Sequence, residues 1–232
     1  MKLPSLKYMT QAGGKLIPEL HAKFAKYASE NQKKFIVMYG QCEATARMGY
    51  LPADKAVEKC GSMGIAIPGG TFKLVDVESN IITKPYVTGE LVYEGDNVTL
   101  GYAECGEDLI KGDERQGILQ TGDMAKFDKD GYYYIVGRKK RFLKIYGNRV
   151  NLDEIDRLIK GEFKGIDCAS VGIDDHMYIF VIVEALADQV RNFVIFKTKL
   201  NPAAFKTIVI NEIPKNDSGK ILYKELAKYY EV

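Results

Sequence analysis

"GRKKRFLKIYGNRVNLDEID", residues 137–156, carries six basic side chains, Arg138, Lys139, Lys140, Arg141, Lys144 and Arg149, and no acid occurs from Gly131 through Leu152. The first part reads as a basic hairpin. Asn151 then caps a helix, with Glu154 three residues on in capping-box position. Leu152, Ile155, Leu158 and Ile159 are expected to form the helix's inner stripe. Such a patch suits a polyanion, a nucleotide, an acidic partner protein, or simply a solvated hairpin. Flanking aromatics ("GYYYIVG", 131–137, then Phe142 and Tyr146) fit either a base-stacking surface or the core side of strands.

Downstream, "YIFVIVE" (178–184) and "TIVINEI" (207–213) read as strands. "ADQVRNFVIFKTKL" (187–200) reads as a helix with Val190, Phe193 and Val194 inward. A closing helix, "KILYKELAKYY", follows a turn. We therefore place a small α+β domain at 140–232. Upstream, residues 61–139 are β-rich, with "TFKLVDV", "GELVYEGDNVTLGY" and "YYYIVG" separated by turn signals at 69–70, 94–97 and 129–131. They predict a mostly antiparallel, barrel-like unit. Residues 1–60 read as a partial α/β layer. There Pro18 starts a helix, Leu20, Phe24 and Tyr27 form its buried stripe, and "FIVMY" (35–39) is a strand buried on both faces.

The 232 residues carry a net charge of +2 and are 28% charged and 46% hydrophobic, the profile of a soluble globular protein. That balance argues against general nucleic-acid binding. No apolar run approaches the roughly 18 residues of a membrane span, and the N-terminal stretch lacks the apolar core of a secretory signal. Four dispersed cysteines and two histidines favour reduced thiols in the cytoplasm over a zinc site.

Five pieces could carry chemistry. "QAGGKL" (11–16) sets Gly13 and Gly14 before a helix, either for close backbone approach to a flat ligand or as an ordinary turn. "MYGQCEATARMGY" (38–50) places Glu43 just past a buried strand, where a carboxylate holds Mg²⁺ or favours a helix start. Tyr39 could stack on a base. "LQTGDMAKF" (119–127) sets Asp123 in what reads as a tight turn, bonding its own backbone or a sugar's vicinal hydroxyls. The basic stretch is the fourth. The fifth is "IPKNDSGKIL" (213–222), with Lys220 behind Gly219. A phosphate loop of the form G-x-x-x-x-G-K-[ST] would need glycine at Pro214 and a hydroxyl at Ile221, so Lys220 is either a mobile point charge for an oxyanion or a solvated helix-start lysine.

In this order the pieces resemble the adenylate-forming superfamily of acyl-CoA synthetases, peptide-synthetase adenylation domains and firefly luciferase. "AGGKL" is similar to its adenine loop and "YGQCE" to Y-G-x-T-E. "GELVYEGDNVTLGY" is similar to G-E-L-x-x-x-G-x-x-V-x-x-G-Y, and "TGD", the 137–156 stretch and "PKNDSGK" resemble the later motifs. The resemblance implies the C-terminal half of an AMP-forming carboxylic acid–thiol ligase. Such a ligase joins an acid to ATP as an acyl-adenylate, then passes the acyl group to coenzyme A or to the phosphopantetheine of an acyl carrier protein. It implies that Gly13, Gly14, Lys15, Tyr39, Gly40 and Cys42 line the ATP/AMP pocket and that Glu43 is catalytic and holds Mg²⁺. Asp123 would take the ribose hydroxyls, Arg138 would contact the ribose or phosphate, and Lys140 would be the hinge. Gly147 would meet the pantetheine, and Lys220 would be the catalytic lysine.

Three departures stand out. Cys42 replaces a threonine, Tyr223 stands where many relatives have arginine, and the Ser/Thr/Gly-rich phosphate loop of the N-terminal half is absent from these residues. The expectation is therefore a chain inactive without a front-half polypeptide. The alternative is a non-catalytic remnant that docks a carrier protein or binds nucleotide.

Overall fold

The computed structural model describes residues 4–14, 16–217 and 219–230. They fall into two compact units, Met1–Val136 and Gly137–Val232. The stretches 1–60 and 61–139, read separately from the sequence, thus share one unit up to Val136. Side chains bridge them: Lys59 is buried against Asp128 (3.0 Å) and Asp130, and Asn97 donates to the carbonyls of Ala44 (2.7 Å) and Arg47 (3.0 Å). The two carboxylates raise the Lys59 pKa. No sequence periodicity announces such a pairing.

In the first unit, β1 (Tyr8–Gln11) lies parallel to β2 (Lys34–Tyr39). The short strands β3 (Gly49–Tyr50) and β4 (Ile65–Ala66) extend the sheet in the order β1-β2-β3-β4. Helix α1 (Pro18–Glu30) starts at Pro18 as expected. Its buried residues are His21, Ala25 and Ala28, however, while Leu20, Phe24 and Tyr27 are exposed. The stripe is offset by one position because His21 is claimed by the protein interior. Its Nε2 lies 2.9 Å from the Ala56 carbonyl, and Nδ1 accepts the Gly61 N–H at 3.1 Å. Alanines below it let the helix approach Phe35 and Val37.

Strands β5 (Thr71–Val75), β6 (Gly89–Glu94), β7 (Ile118–Phe127) and β8 (Tyr133–Arg138) form a second sheet in sequential order. It is an open four-stranded sheet rather than barrel-like, because β5 and β8 stand at opposite ends of the strand order. Phe72, Leu74, Leu91, Tyr93 and Leu119 supply its core.

The second unit opens with the expected hairpin, β9 (Phe142–Ile145) paired antiparallel with β10 (Asn148–Asn151). The two-residue loop Tyr146–Gly147 has positive φ at both positions (46° and 83°), as a type I′ turn requires. Asn151 caps α2 (Leu152–Glu162) by accepting the Asp153 N–H at 3.0 Å. Leu152, Ile155 and Ile159 are buried, but Asp156 takes the fourth inward place and Leu158 is exposed. Next come β11 (Cys168–Ile173), β12 (His176–Val181), α3 (Ala187–Thr198), β13 (Phe205–Val209) and the short α4 (Tyr223–Ala227). The sheet order is β11-β12-β13. Strand alternation splits β12 between two cores. Met177, Ile179 and Val181 pack with residues of α2 and α3, whereas Phe180 packs with Ile210, Ile213 and Leu226. Val190 and Val194 are buried, with Phe193 partly so.

Candidate functional site

The first unit gathers its candidates beyond strand ends. Because β1 and β2 run parallel, with Gln11 opposite Val37, the bend at Gly13–Gly14 and the turn after Tyr39 both follow the carboxyl ends of these strands, where open α/β sheets take ligands. Lys15 lies outside the described residues. Gly40 has a different reason to be glycine: a Cβ there would meet the Ala46 carbonyl oxygen at 2.3 Å. That close contact folds the 41–46 turn back, with Thr45 and Ala46 both at positive φ.

Asp123 is in β7, not in a tight turn. Opposite β6 the register jumps from Met124–Glu90 to Gln120–Val92, so Thr121, Gly122 and Asp123 bulge against Leu91. Thr121 Oγ1 donates to the Leu91 carbonyl at 2.7 Å and accepts the Asp123 N–H at 3.1 Å. A bulge re-aims a side chain, and here it turns a buried carboxylate toward the end of β2. Asp123 Oδ2 accepts Tyr39 Oη at 2.6 Å and Gln41 Nε2 at 3.0 Å, and Gln41 Nε2 also donates to the Thr121 carbonyl at 2.9 Å. Gln41 is a site residue that sequence reading missed. Its only signal is its place inside "YGQCE".

Glu43 accepts a hydrogen bond from Tyr102, whose ring lies 4.6 Å from the Arg115 guanidinium carbon. The carboxylate raises the Tyr102 pKa. Among the described residues no cluster of three or more metal-binding side chains occurs. A single carboxylate fits Mg²⁺ that takes its remaining ligands from water and nucleotide phosphates, so the donor set agrees with that ion and disagrees with a protein-caged metal. Cys42 is an exposed free thiol.

The second unit presents Lys140 in the short turn Lys139–Arg141, Gly147 at the hairpin tip and Lys220 in a tight loop. Lys220 is exposed. Its N–H donates to Asn216 Oδ1 at 2.9 Å, its carbonyl accepts the Asn216 N–H at 2.9 Å, and Lys215 bridges Ile221. Backbone bonds thus hold Asn216 and Lys220 together while the ammonium stays at the surface. Arg138 is exposed at the end of β8.

Next to Lys140, Arg141 is buried. It donates to Asp153 (2.7 Å), Asp156 (2.8 Å) and the Ser170 carbonyl (2.6 Å), and its guanidinium carbon lies 3.9 Å from the Tyr223 ring centre. Burial pushes Asp156 up to about 6 against the opposing pull of Arg141, and burial pushes Tyr223 up to about 12. Tyr223, the departure noted in the sequence, therefore closes a buried charge network. Among the described residues no helix is long and apolar enough to cross a membrane.

The family model described as AMP-binding enzyme matches residues 1–103. The chain is 32% identical to 4-hydroxybutyrate--CoA ligase 1 of Metallosphaera sedula over 97% of its own length and 42% of that protein. Its structure resembles O-succinylbenzoate coenzyme A synthetase of Bacillus subtilis, solved in complex with AMP (TM-score 0.70, 20% identity, 97% of this chain and 46% of that one). It also resembles McyG A-PCP complexed with phenylalanyl-adenylate (TM-score 0.68, 24% identity, 98% and 45%). The chain spans under half the length of each, and its fold corresponds to their C-terminal half.

Proposed function

Because the chain belongs to the adenylate-forming superfamily, we propose that it supplies the nucleotide-binding turns and the catalytic lid of an AMP-forming carboxylic acid–thiol ligase. In the first step a carboxylate oxygen bonds to the α-phosphorus of ATP and the bond to pyrophosphate breaks. In the second, a thiol bonds to the acyl carbon and AMP leaves. Tyr39 and the Gly13–Gly14 bend flank the adenine, Asp123 accepts the ribose hydroxyls, and Arg138 meets ribose or phosphate. Glu43 holds Mg²⁺, which neutralises charge on the phosphates when bound. Lys220 bridges carboxylate and phosphate oxygens during adenylation. Charge gathers on those oxygens in the transition state, so a cation delivered for that step lowers the barrier selectively. Lys140 is the pivot that removes it before the thiol step.

The observation carrying this reading is the bulged, buried Asp123 held by Tyr39 and Gln41 at the end of β2. The 232 residues contain no Ser/Thr/Gly-rich phosphate loop, so pyrophosphate chemistry requires one from another polypeptide segment. The test is exchange of labelled pyrophosphate into ATP across a panel of acids, with the chain alone and with a polypeptide bearing that loop. Exchange that appears on complementation supports the reading. Robust exchange by the chain alone contradicts the required complementation.

A second reading, a non-catalytic module that docks a carrier protein, draws on one feature. Exposed Lys144 and Arg149 sit directly opposite each other across the hairpin. Like charges so placed repel and suit an acidic partner. Pull-down of an acyl carrier protein without nucleotide, with no exchange under complementation, favours this second reading.

A further inference from the structure

Strand β9 pairs with β10 along one edge. Its other edge meets the two-residue turn Asp174–Asp175 that joins β11 to β12. Successive N–H groups of a strand point to opposite edges, so those of Lys144 and Tyr146 share one. Asp174 Oδ1 accepts the Lys144 N–H at 2.8 Å, and Asp175 Oδ1 accepts the Tyr146 N–H at 2.6 Å. The Asp175 N–H in turn donates to the Lys144 carbonyl at 2.9 Å. One acidic turn thus grips both polar groups of Lys144 and the amide of Tyr146, the first residue of the hairpin loop.

This grip bears on a conformation that needs support. Tyr146 sits at φ 46°, Gly147 at 83° and Asp175 at 67°. A non-glycine residue in the left-handed region is costly unless its surroundings fix it. Here a charge-assisted bond, stronger than a neutral one, locks the Tyr146 amide. The same arrangement orients the Gly147 backbone that follows.

We propose that Asp174 and Asp175 are positioning residues for the Tyr146–Gly147 tip, holding it in the presentation that receives the phosphopantetheine arm of the thiol acceptor. The proposal rests on the ligase reading, in which Gly147 meets that arm. Neither aspartate contacts the reacting atoms. They act by preorganisation, since a loop already ordered loses less freedom when its ligand arrives.

The test compares two substitutions in the full chain. Asp175→Gly removes the carboxylate while tolerating positive φ, and Asp175→Asn keeps both an acceptor oxygen and that tolerance. Phosphopantetheine is titrated into the ¹⁵N-labelled chain saturated with AMP, following the amides of Tyr146, Gly147 and Asn148. The wild type should titrate with the lowest midpoint, and Asp175→Asn, which keeps a neutral acceptor, should fall between it and Asp175→Gly. Asp175→Gly should need about five- to thirtyfold more phosphopantetheine, the span set by losing one such interaction, and its Tyr146 amide should exchange faster with solvent. The AMP midpoint, read at Tyr39 and Asp123, should be the same in all three proteins. A wild-type midpoint in Asp175→Gly, an equal loss in Asp175→Asn, or no response of the wild-type tip overturns the proposal. Failure of AMP to perturb Tyr39 and Asp123 in the wild type instead overturns the ligase reading, and the proposal with it.

Discussion

Tyr39 Oη donates a 2.6 Å hydrogen bond to Asp123 Oδ2 although the two residues are 84 positions apart. One closes a parallel strand and the other lies in a bulge of the neighbouring antiparallel sheet. The bond fixes the carboxylate that the proposed ribose contact uses. Hydrogen bonds to a charged group contribute about 1.5–3 kcal/mol, so Asp123→Ala should weaken AMP binding by about tenfold or more in titration calorimetry. Tyr39→Phe keeps the ring and should cost about 1 kcal/mol of stability, with a smaller loss of affinity.

Lys220 is held through its backbone, not its ammonium. Lys220→Ala should therefore leave the fold and AMP affinity intact. Pyrophosphate exchange by the complemented enzyme should fall by about 10²–10³, the usual loss when a transition-state charge partner is removed. Circular dichroism checks the first outcome and the exchange assay the second.

The second unit depends on Arg141. Substituting Arg141→Met leaves Asp156 buried beside Ser170 without its guanidinium, and breaking a buried pair costs about 3–5 kcal/mol. Urea unfolding should show a loss of that size. Tyr223→Phe, which preserves the ring over Arg141, should lie within about 0.5 kcal/mol of wild type.

The hairpin loop offers an opposite sign. Tyr146 occupies the first position of a type I′ turn at φ 46°, where asparagine before glycine is preferred. Tyr146→Asn should raise stability by about 0.5–1 kcal/mol, whereas Gly147→Ala should lower it by about 1–2 kcal/mol. Thermal melts of the two variants decide both.

Burial lowers the His21 pKa from its ordinary value. The folded chain thus favours neutral imidazole, whose Nδ1 lone pair accepts the Gly61 N–H. Between the lowered folded pKa and about 6.5 the unfolded chain binds more protons, so stability is complete above about pH 6.5 and falls as the pH drops below it. The melting temperature should decline on the acid side in wild type and decline less steeply in His21→Asn. Parallel slopes would contradict this role.

The sequence announced those features that depend on neighbours along the chain. The hairpin in the basic stretch, the Asn151 cap, the Pro18 helix start and a strand around 178–184 all follow from local sterics and periodicity. What it left hidden depends on distant partners. Helix periodicity alone cannot choose His21 over Leu20, because that choice belongs to Ala56 and Gly61. Asp156 reads as a surface residue until Arg141 turns inward to meet it. Asp123 reads as a turn residue because "TGD" has turn composition, and only the pairing with β6 makes it a bulge. Gln41, Asp174 and Asp175 carry no periodic signal and show their roles through three-dimensional contacts.

If the turns at 39–43 and 121–123 form a nucleotide site, amide mapping of the ¹⁵N-labelled chain during AMP titration reports it residue by residue. Saturable shifts should be confined to Tyr39–Glu43, Thr121–Asp123 and the Gly13–Gly14 bend, with the midpoint about tenfold or more higher in a folded Asp123→Ala variant. Absence of those shifts, or an unchanged midpoint in Asp123→Ala, would contradict the nucleotide site.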